Sequence, residues 1–446
     1  MYPAGTLFPS TLKTSQHASA IERNLMKRFL SRVVFAFVLL VTDAPAQLTA
    51  IKAGKLVVPE TGATLTNQII LVEGARIKAV GADVQIPAGA TVIDLSRQTV
   101  LPGLFDCHTH MAFLINGRRS RERGSLFFYD LTHTNAERAI HGVVNSRDML
   151  SSGFTTIRDV GNDSNYVATD LRRAIDQGLI PGPTIINSGR IIAPFGGQYQ
   201  LQPERRHLGE PEYFYADTRD EMRKAIRENV HFGARVIKIV VDDQPYIYSV
   251  EDIKYMVAEA ASAGVKLAAH CVTEQGARNA AAAGVASIEH GLEMSDEALA
   301  LAKKNNVVLV STDFNEKAWL AYDMPPEMAK RFHERGVDRL RRAHRIGVTL
   351  AFGSDLIFYA PDETRGAWTM SLVDVFVKAG IPPKDILRAL VPNAARLLGV
   401  EGARGAISAG QFADIIATTE NPLDNISTLK QVNFVMKNGK VFKAAK

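Results

Sequence analysis

Between about residue 100 and 400 the chain repeats one pattern, a short apolar run followed by a stretch of helical periodicity. The runs fall at 100–106, 155–159, 184–187, 236–241, 266–270, 286–289, 307–310 and 349–352. They are apolar on both faces, as strands of a parallel sheet covered by helices must be. Roughly eight such units in about 300 residues suit a closed (β/α)8 barrel better than an open sheet, and chemistry in that fold gathers at the C-terminal strand ends.

Short strand patterns flank this region, at 50–58, 68–72, 76–80 and 91–95 on one side and at 414–418 and 432–441 on the other. Lys437-Asn438-Gly439-Lys440 is a hairpin signal of the Asn-Gly type. The expected architecture is therefore α/β: a TIM-like (β/α)8 barrel over 101–400 with a small β-sandwich domain formed from both chain ends, 47–100 plus 401–446. The Gly-, Pro-, Gln- and Arg-rich stretch 195–218 reads as a loop over the barrel mouth.

At the N-terminus, Lys27, Arg28 and Arg32 precede the apolar run 33–41 and the small-residue triplet Ala44-Pro45-Ala46. That order is the order of a secretory signal peptide. It predicts cleavage after Ala46, a translation start at Met26 and a periplasmic or secreted protein; a short uncleaved anchor is the alternative. The run is too short to span a bilayer, and no other segment reaches the required apolar length, so no integral membrane segment is expected after cleavage. A net charge of +5 over 446 residues, part of it in this leader, gives no argument for nucleic acid. Cys107 and Cys271 each lie beside a histidine at the end of an apolar run, and two buried thiols are expected rather than a disulfide.

The polar residues at the run ends carry the chemistry. His108 and His110, two apart at the end of the first run, project from one face of a strand, so both imidazoles can reach one ion. Lys238 interrupts the apolar run Val236-Ile237-Lys238-Ile239-Val240-Val241, and a buried lysine is costly unless neutralised or paired. It can pair with Asp242, Asp243 or Glu274, or it can react with CO2 beside divalent metal to form a carbamate that bridges two cations. His270 and His290 end successive runs, which suits a second ion. Asp355, after Gly353-Ser354, is either a further ligand or the cap of the next helix. Metal-capable residues at five of eight run ends favour a two-metal centre over separate structural roles.

The run Pro102-Gly103-Leu104-Phe105-Asp106-Cys107-His108-Thr109-His110, the strand lysine, the two later histidines and Gly353-Ser354-Asp355 resemble the metal signature of the amidohydrolase superfamily. Asn393-Ala394-Ala395-Arg396-Leu397-Leu398-Gly399 and the run 405–414 are similar to the segments that return that family's chain to its β domain. Phe154-Thr155-Thr156-Ile157-Arg158-Asp159-Val160-Gly161 and Ile237-Lys238-Ile239 resemble the imidazolonepropionase-related branch, which holds Xaa-Pro and other carboxyl-side dipeptidases and ochratoxin-hydrolysing amidases. Where that branch often shows Gly-Gly-His, this chain has Gly196-Gly197-Gln198.

The resemblance implies a binuclear metal-dependent hydrolase of dipeptides or N-acyl amino acids, acting on small-molecule amides and forming homo-oligomers. His108, His110, carbamylated Lys238 and Asp355 would hold one ion, with Lys238, His270 and His290 on the other. Zinc is the expected metal, and a hydroxide between the ions would attack the carbonyl while Asp355 moves the proton. A substrate carboxylate would need a partner near the mouth, for which Tyr246 and Tyr248 are the candidates, followed by Arg118, Arg119, Arg205 and Arg206. A lactonase or deaminase on the same barrel, or a non-catalytic metal-binding assembly protein, are the alternatives.

Overall fold

Backbone pairing of the strands at the two chain ends sets the first half of the architecture. In the computed structural model, which describes residues 48–116, 125–161, 163–199, 201–243, 245–359 and 363–445, β1 (Leu48–Val58) pairs antiparallel with β2 (Ala63–Glu73), which pairs with β3 (Arg76–Gly81). The strand β4 (Thr91–Pro102) runs parallel to β1 from Thr91 to Val100, and on its other edge residues Thr99 to Pro102 pair antiparallel with β17 (Ile415–Thr418). Next to β17 come β18 (Phe434–Lys437) and β19 (Lys440–Lys443). One long strand thus stitches both chain ends into one sheet, with Ile51, Ile70, Leu95, Val100, Ile415 and Phe434 in its core. The ladders of the expected sandwich domain run as a single seven-stranded sheet, because β4 pairs with β1 on one edge and with β17 on the other. The Asn-Gly turn appears as expected, with Lys437 paired to Lys440 and both Asn438 and Gly439 at positive φ.

The second half is parallel α/β. The strands β5 (Leu104–Thr109), β7 (Phe154–Asp159) and β8 (Thr184–Asn187) form one three-stranded arc. A second arc contains β9 (Ile191–Ala193), β10 (Tyr213–Tyr215), β11 (Val236–Val240), β12 (Lys266–Cys271), β13 (Ser287–His290), β14 (Val308–Ser311) and β15 (Leu350–Phe352) in the order β10-β9-β11-β12-β13-β14-β15. Every residue of β5, β7 and β11 is buried, as both-face coverage requires. Among the described residues the two arcs do not close into one ladder. Single bonds link them instead, Arg235 N to Asn187 O at 2.7 Å and Asp355 N to His108 O at 2.8 Å. The arrangement is an α/β fold consistent with a TIM-like barrel.

Helices begin just after the strand ends because the sequence supplies caps there: Ser249, Thr273, Ser295 and Asn315 each accept a bond from the third residue onward. The stretch 195–218, expected as a loop, holds a 3-10 turn Pro203–Gly209 and the strand β10, which pairs with β9. A small parallel pair, β6 (Ile115–Asn116) with β16 (Phe358–Tyr359), sits among the later loops. The leader, Met26 and the cleavage position at Ala46 lie outside the described residues, as do Arg118 and Arg119. No described helix is long and apolar enough to cross a membrane. Cys107 and Cys271 are buried free thiols.

The sheet packs on the α/β part through a shared apolar core that includes Val57, Leu101, Ile416 and Val435, and a buried charge cluster of its own reaches across. Lys437 Nζ reaches both oxygens of Asp414 at 3.1 Å and Thr184 Oγ1 of β8 at 2.8 Å, and Arg404 also binds Asp414. Neutralising the shared carboxylate leaves two cations without a counter-charge in a buried place, which costs about 3–5 kcal/mol. Asp414→Asn is expected to lower unfolding stability by that amount in a denaturant titration; an unchanged midpoint would show that this contact does not hold the sheet in place.

Candidate metal centre

The parallel register brings the strand-end residues together. His108 and His110 leave β5 on one face, and their Nε2 atoms lie 3.5 and 3.1 Å from Oδ1 of Asp355, which follows β15. His290 Nδ1 stands 3.6 Å from the other oxygen, Oδ2. The rings form a chain, with centroids 5.3 Å apart for His108 and His110, 4.9 Å for His108 and His290, and 4.5 Å for His290 and His270. Ligand atoms of His108, His290 and Asp355 all fall within 4.8 Å of one another, as do those of Asp242, Asp243 and His270.

The backbone is bent to achieve this. Asp355 and His290 adopt φ of 51° and 67°, a left-handed region that side chains other than glycine rarely enter. Such strain persists only where surrounding contacts over-determine it. Asp106 supplies one of these, because its Oδ1 accepts from His108 N at 3.1 Å and from Ser354 N at 2.9 Å. Gly353 supplies another, since a Cβ there would lie 2.6 Å from that of His108. Capping is not the role of Asp355: the next described helix starts at Arg365 and is capped by Thr364.

Lys238 sits mid-strand in β11, 2% exposed. The three carboxylates that the sequence offered as its partners are engaged elsewhere, and Glu289 and Asp355 act on it only from beyond ion-pair distance. Asp242 accepts from Val272 N, Thr273 N and Thr273 Oγ1, and Glu274 from Ser295 N and Oγ. Asp243 Oδ2 accepts from Gln198 and lies 2.7 Å from His270 Nε2. Among the described residues no carboxylate stands within ion-pair distance of the Lys238 ammonium, and burial pulls its pKa down to about 8. A lysine so placed is readily available as the neutral amine.

His108 and His290 are held neutral, the form in which imidazole binds metal. Burial, then the nearby Lys238, pulls His108 down to about 3, and burial with His270 and His108 pulls His290 well below its usual range. Burial pushes the Asp355 carboxyl up, but His108, His110 and Lys238 outweigh it and hold it low. The second ring nitrogens of His108 and His110 are fixed by partners: Nδ1 of His108 by Glu289 Oε2 at 2.7 Å, Nδ1 of His110 by the Gly161 carbonyl at 2.7 Å. Arg158 in turn anchors Glu289 at 2.6 Å and Ser287 at 3.0 Å. Imidazoles oriented from behind by carboxylate or carbonyl are the usual support of metal ligands. Sequence reasoning missed Glu289 and Arg158, although a cation inside an apolar run was the same signal that marked Lys238.

Above these residues lies a cavity of about 260 Å³ whose wall includes Lys238, the four histidines and Asp355 together with Gln198, Tyr199, Tyr213, Trp319 and Tyr322. The proposed substrate tyrosines are not part of it. Tyr248 is 1% exposed and donates its hydroxyl to the Ala216 carbonyl at 2.6 Å, so it is a packing anchor. Tyr246 is 64% exposed and points no contact into the cavity wall. Arg205 and Arg206 lie on the 3-10 turn, and Arg206 lines a separate cavity. Gln198, where relatives were expected to show histidine, bridges Tyr213 and Asp243 with bonds of 2.9 and 2.8 Å.

Known proteins are similar to this chain in sequence and fold. The sequence profile of the amidohydrolase family matches residues 99–442. The chain is 28% identical to an ochratoxinase of Aspergillus niger across 99% of this chain and 94% of that protein. It is 26% identical to the imidazolonepropionase of Symbiobacterium thermophilum across 83% of this chain and 91% of that one. Among solved structures it matches a Xaa-Pro dipeptidase with methionine bound in the active site, with a TM-score of 0.77 and 28% identity over 89% of this chain and 100% of that chain. The ochratoxinase of A. niger gives a TM-score of 0.76 and 26% identity over 90% and 96%. The chain therefore belongs to the amidohydrolase family and is a hydrolase.

Proposed function

We propose that this protein hydrolyses the amide bond of dipeptides or N-acyl amino acids at a two-metal centre. The observation that carries the reading is Lys238, a buried lysine that has no carboxylate within ion-pair distance among the described residues and shares a cavity wall with four histidines and Asp355. Residues His108, His110 and Asp355 would hold one divalent ion and His270 and His290 the other, with Lys238 as its carbamate between them. Imidazole-rich donors favour zinc. Two such ions would supply Lewis acidity for the carbonyl oxygen and a lowered pKa for water.

The chain's own groups provide the rest. Asp355, kept ionised by its neighbours, is placed to take a proton from water and hand it to the departing amine. Glu289 and the Gly161 carbonyl keep two imidazoles in the tautomer that presents Nε2 to the cavity. The aromatic residues of the wall exclude water and suit an aromatic or bulky apolar acyl group. The names of the relatives, an ochratoxinase and a Xaa-Pro dipeptidase, support an amide whose leaving group is an amino acid. The leader-like order of residues 27–46 supports export to the periplasm or medium.

Elemental analysis of the mature protein is expected to find about two zinc ions per chain, and a panel of Xaa-Pro, Xaa-Phe and N-acyl amino acids should include hydrolysed members. Chelation should abolish turnover, and zinc with bicarbonate should restore it. Metal-free protein that stays inactive after that treatment would sink the reading. Glu289→Gln should weaken metal retention against a competing chelator by roughly 10–100-fold; wild-type retention would mean that His108 needs no support from behind.

A further inference from the structure

The cavity over the histidines is one of two that meet there. A second cavity of about 190 Å³ shares His270, His290, Phe314, Trp319 and Asp355 with the first. Each is smaller than the roughly 300 Å³ at which whole ligand sites begin, so a molecule of dipeptide size must use both. The bond to be cleaved then lies at their junction, beside Asp355, with one half of the substrate on either side.

The two lobes differ in the cations that line them. In the first, the lining cation is Lys238, buried in its strand; the far wall is Ile191, Tyr199 and Tyr213. The second adds Phe332, Arg335 and Arg339 from the helix Pro326–Ile346, and Asp313. Arg339 is 1% exposed and committed to Asp313 at 2.5 Å. Arg335 is not so committed: its contact with Glu293 is 3.4 Å long and both side chains are about half exposed, a pair that water screens. Trp319 forms part of both walls, and its Nε1 is buried without a hydrogen-bond partner among the described residues. A buried donor left unpaired is a cost that a ligand oxygen would relieve.

We infer that the second lobe is the subsite for the leaving amino acid, with Arg335 binding its free carboxylate and Phe314, Trp319 and Phe332 enclosing an apolar or aromatic side chain. The assignment rests on the amide-hydrolase reading only for the word leaving; the lobe's preference for a carboxylate beside an apolar group stands on its own lining. Arg335 displaces its weak contact with Glu293 in favour of the substrate, and a planar guanidinium accommodates a carboxylate with two parallel bonds. The acyl half occupies the first lobe.

Binding of L-phenylalanine to the metal-loaded protein, followed by quenching of tryptophan emission, tests this directly, since Trp319 is one of only two tryptophans in the chain. Wild-type protein should bind L-phenylalanine at least about tenfold more tightly than L-phenylalaninamide, and Arg335→Met should erase that preference with metal content unchanged. Glu293→Gln, which removes the competing carboxylate, should bind no more weakly than wild type. Equal binding of acid and amide by wild type, or a preference that survives Arg335→Met, overturns the subsite. Turnover of N-benzoyl-L-phenylalanine is read separately. Binding that depends on Arg335 without turnover leaves the subsite standing and counts against the hydrolase reading, whereas turnover indifferent to Arg335 does the reverse.

Discussion

The centre depends on a charge placed where a charge does not belong. Lys238 occupies the middle of a strand buried on both faces, and the acids near it are engaged with backbone amides, a serine, Gln198 or His270. An ammonium in that setting is destabilised by desolvation, and its neutral form is correspondingly favoured. The same low-dielectric setting keeps His108 and His290 neutral. One physical fact, burial without a carboxylate in direct contact, therefore favours the neutral form of the lysine, and burial does the same for His108 and His290.

What holds the ligands in place is a second set of charges that are fully paired. Arg158 and Glu289 are both buried, and they join β7 to β13 while fixing the tautomer of His108 on β5. Asp106 ties His108 to the turn that carries Asp355, across the gap where the strand ladder does not close. Arg365 reinforces that gap by donating to the carbonyls of His110 and Phe113. The break between the two arcs is thus bridged by side chains that also position the site. Strain at His290 and Asp355 is the local consequence, and it lies where function requires the geometry.

The residues of the candidate centre were legible because a parallel strand delivers its last residue to one end of the fold, whatever the neighbouring loops do. His108, His110, Lys238, His270, His290 and Asp355 each stood at or in a run whose period announced a strand. Their partners were less visible. Arg158 and Glu289 share the strands of Ile157 and His290, but nothing local says that one reaches the other across 131 positions of sequence. Tyr246 and Tyr248 were chosen for nearness to Lys238 along the chain, and loop residues are placed by tertiary packing instead. One turned to solvent and the other to the Ala216 carbonyl.

The sequence by itself determined the α/β alternation, the hairpin at Asn438-Gly439 and the set of strand-end ligands, because periodicity and turn chemistry act over a few residues. Only the tertiary structure decided that β4 would bind β1 and β17 in a single sheet, that two arcs would be joined by Asp355 and Asn187 rather than by a continuous ladder, and that Trp319 and Arg335 would stand beside His270. Those outcomes depend on which distant segments exclude water together, and no local pattern encodes that choice.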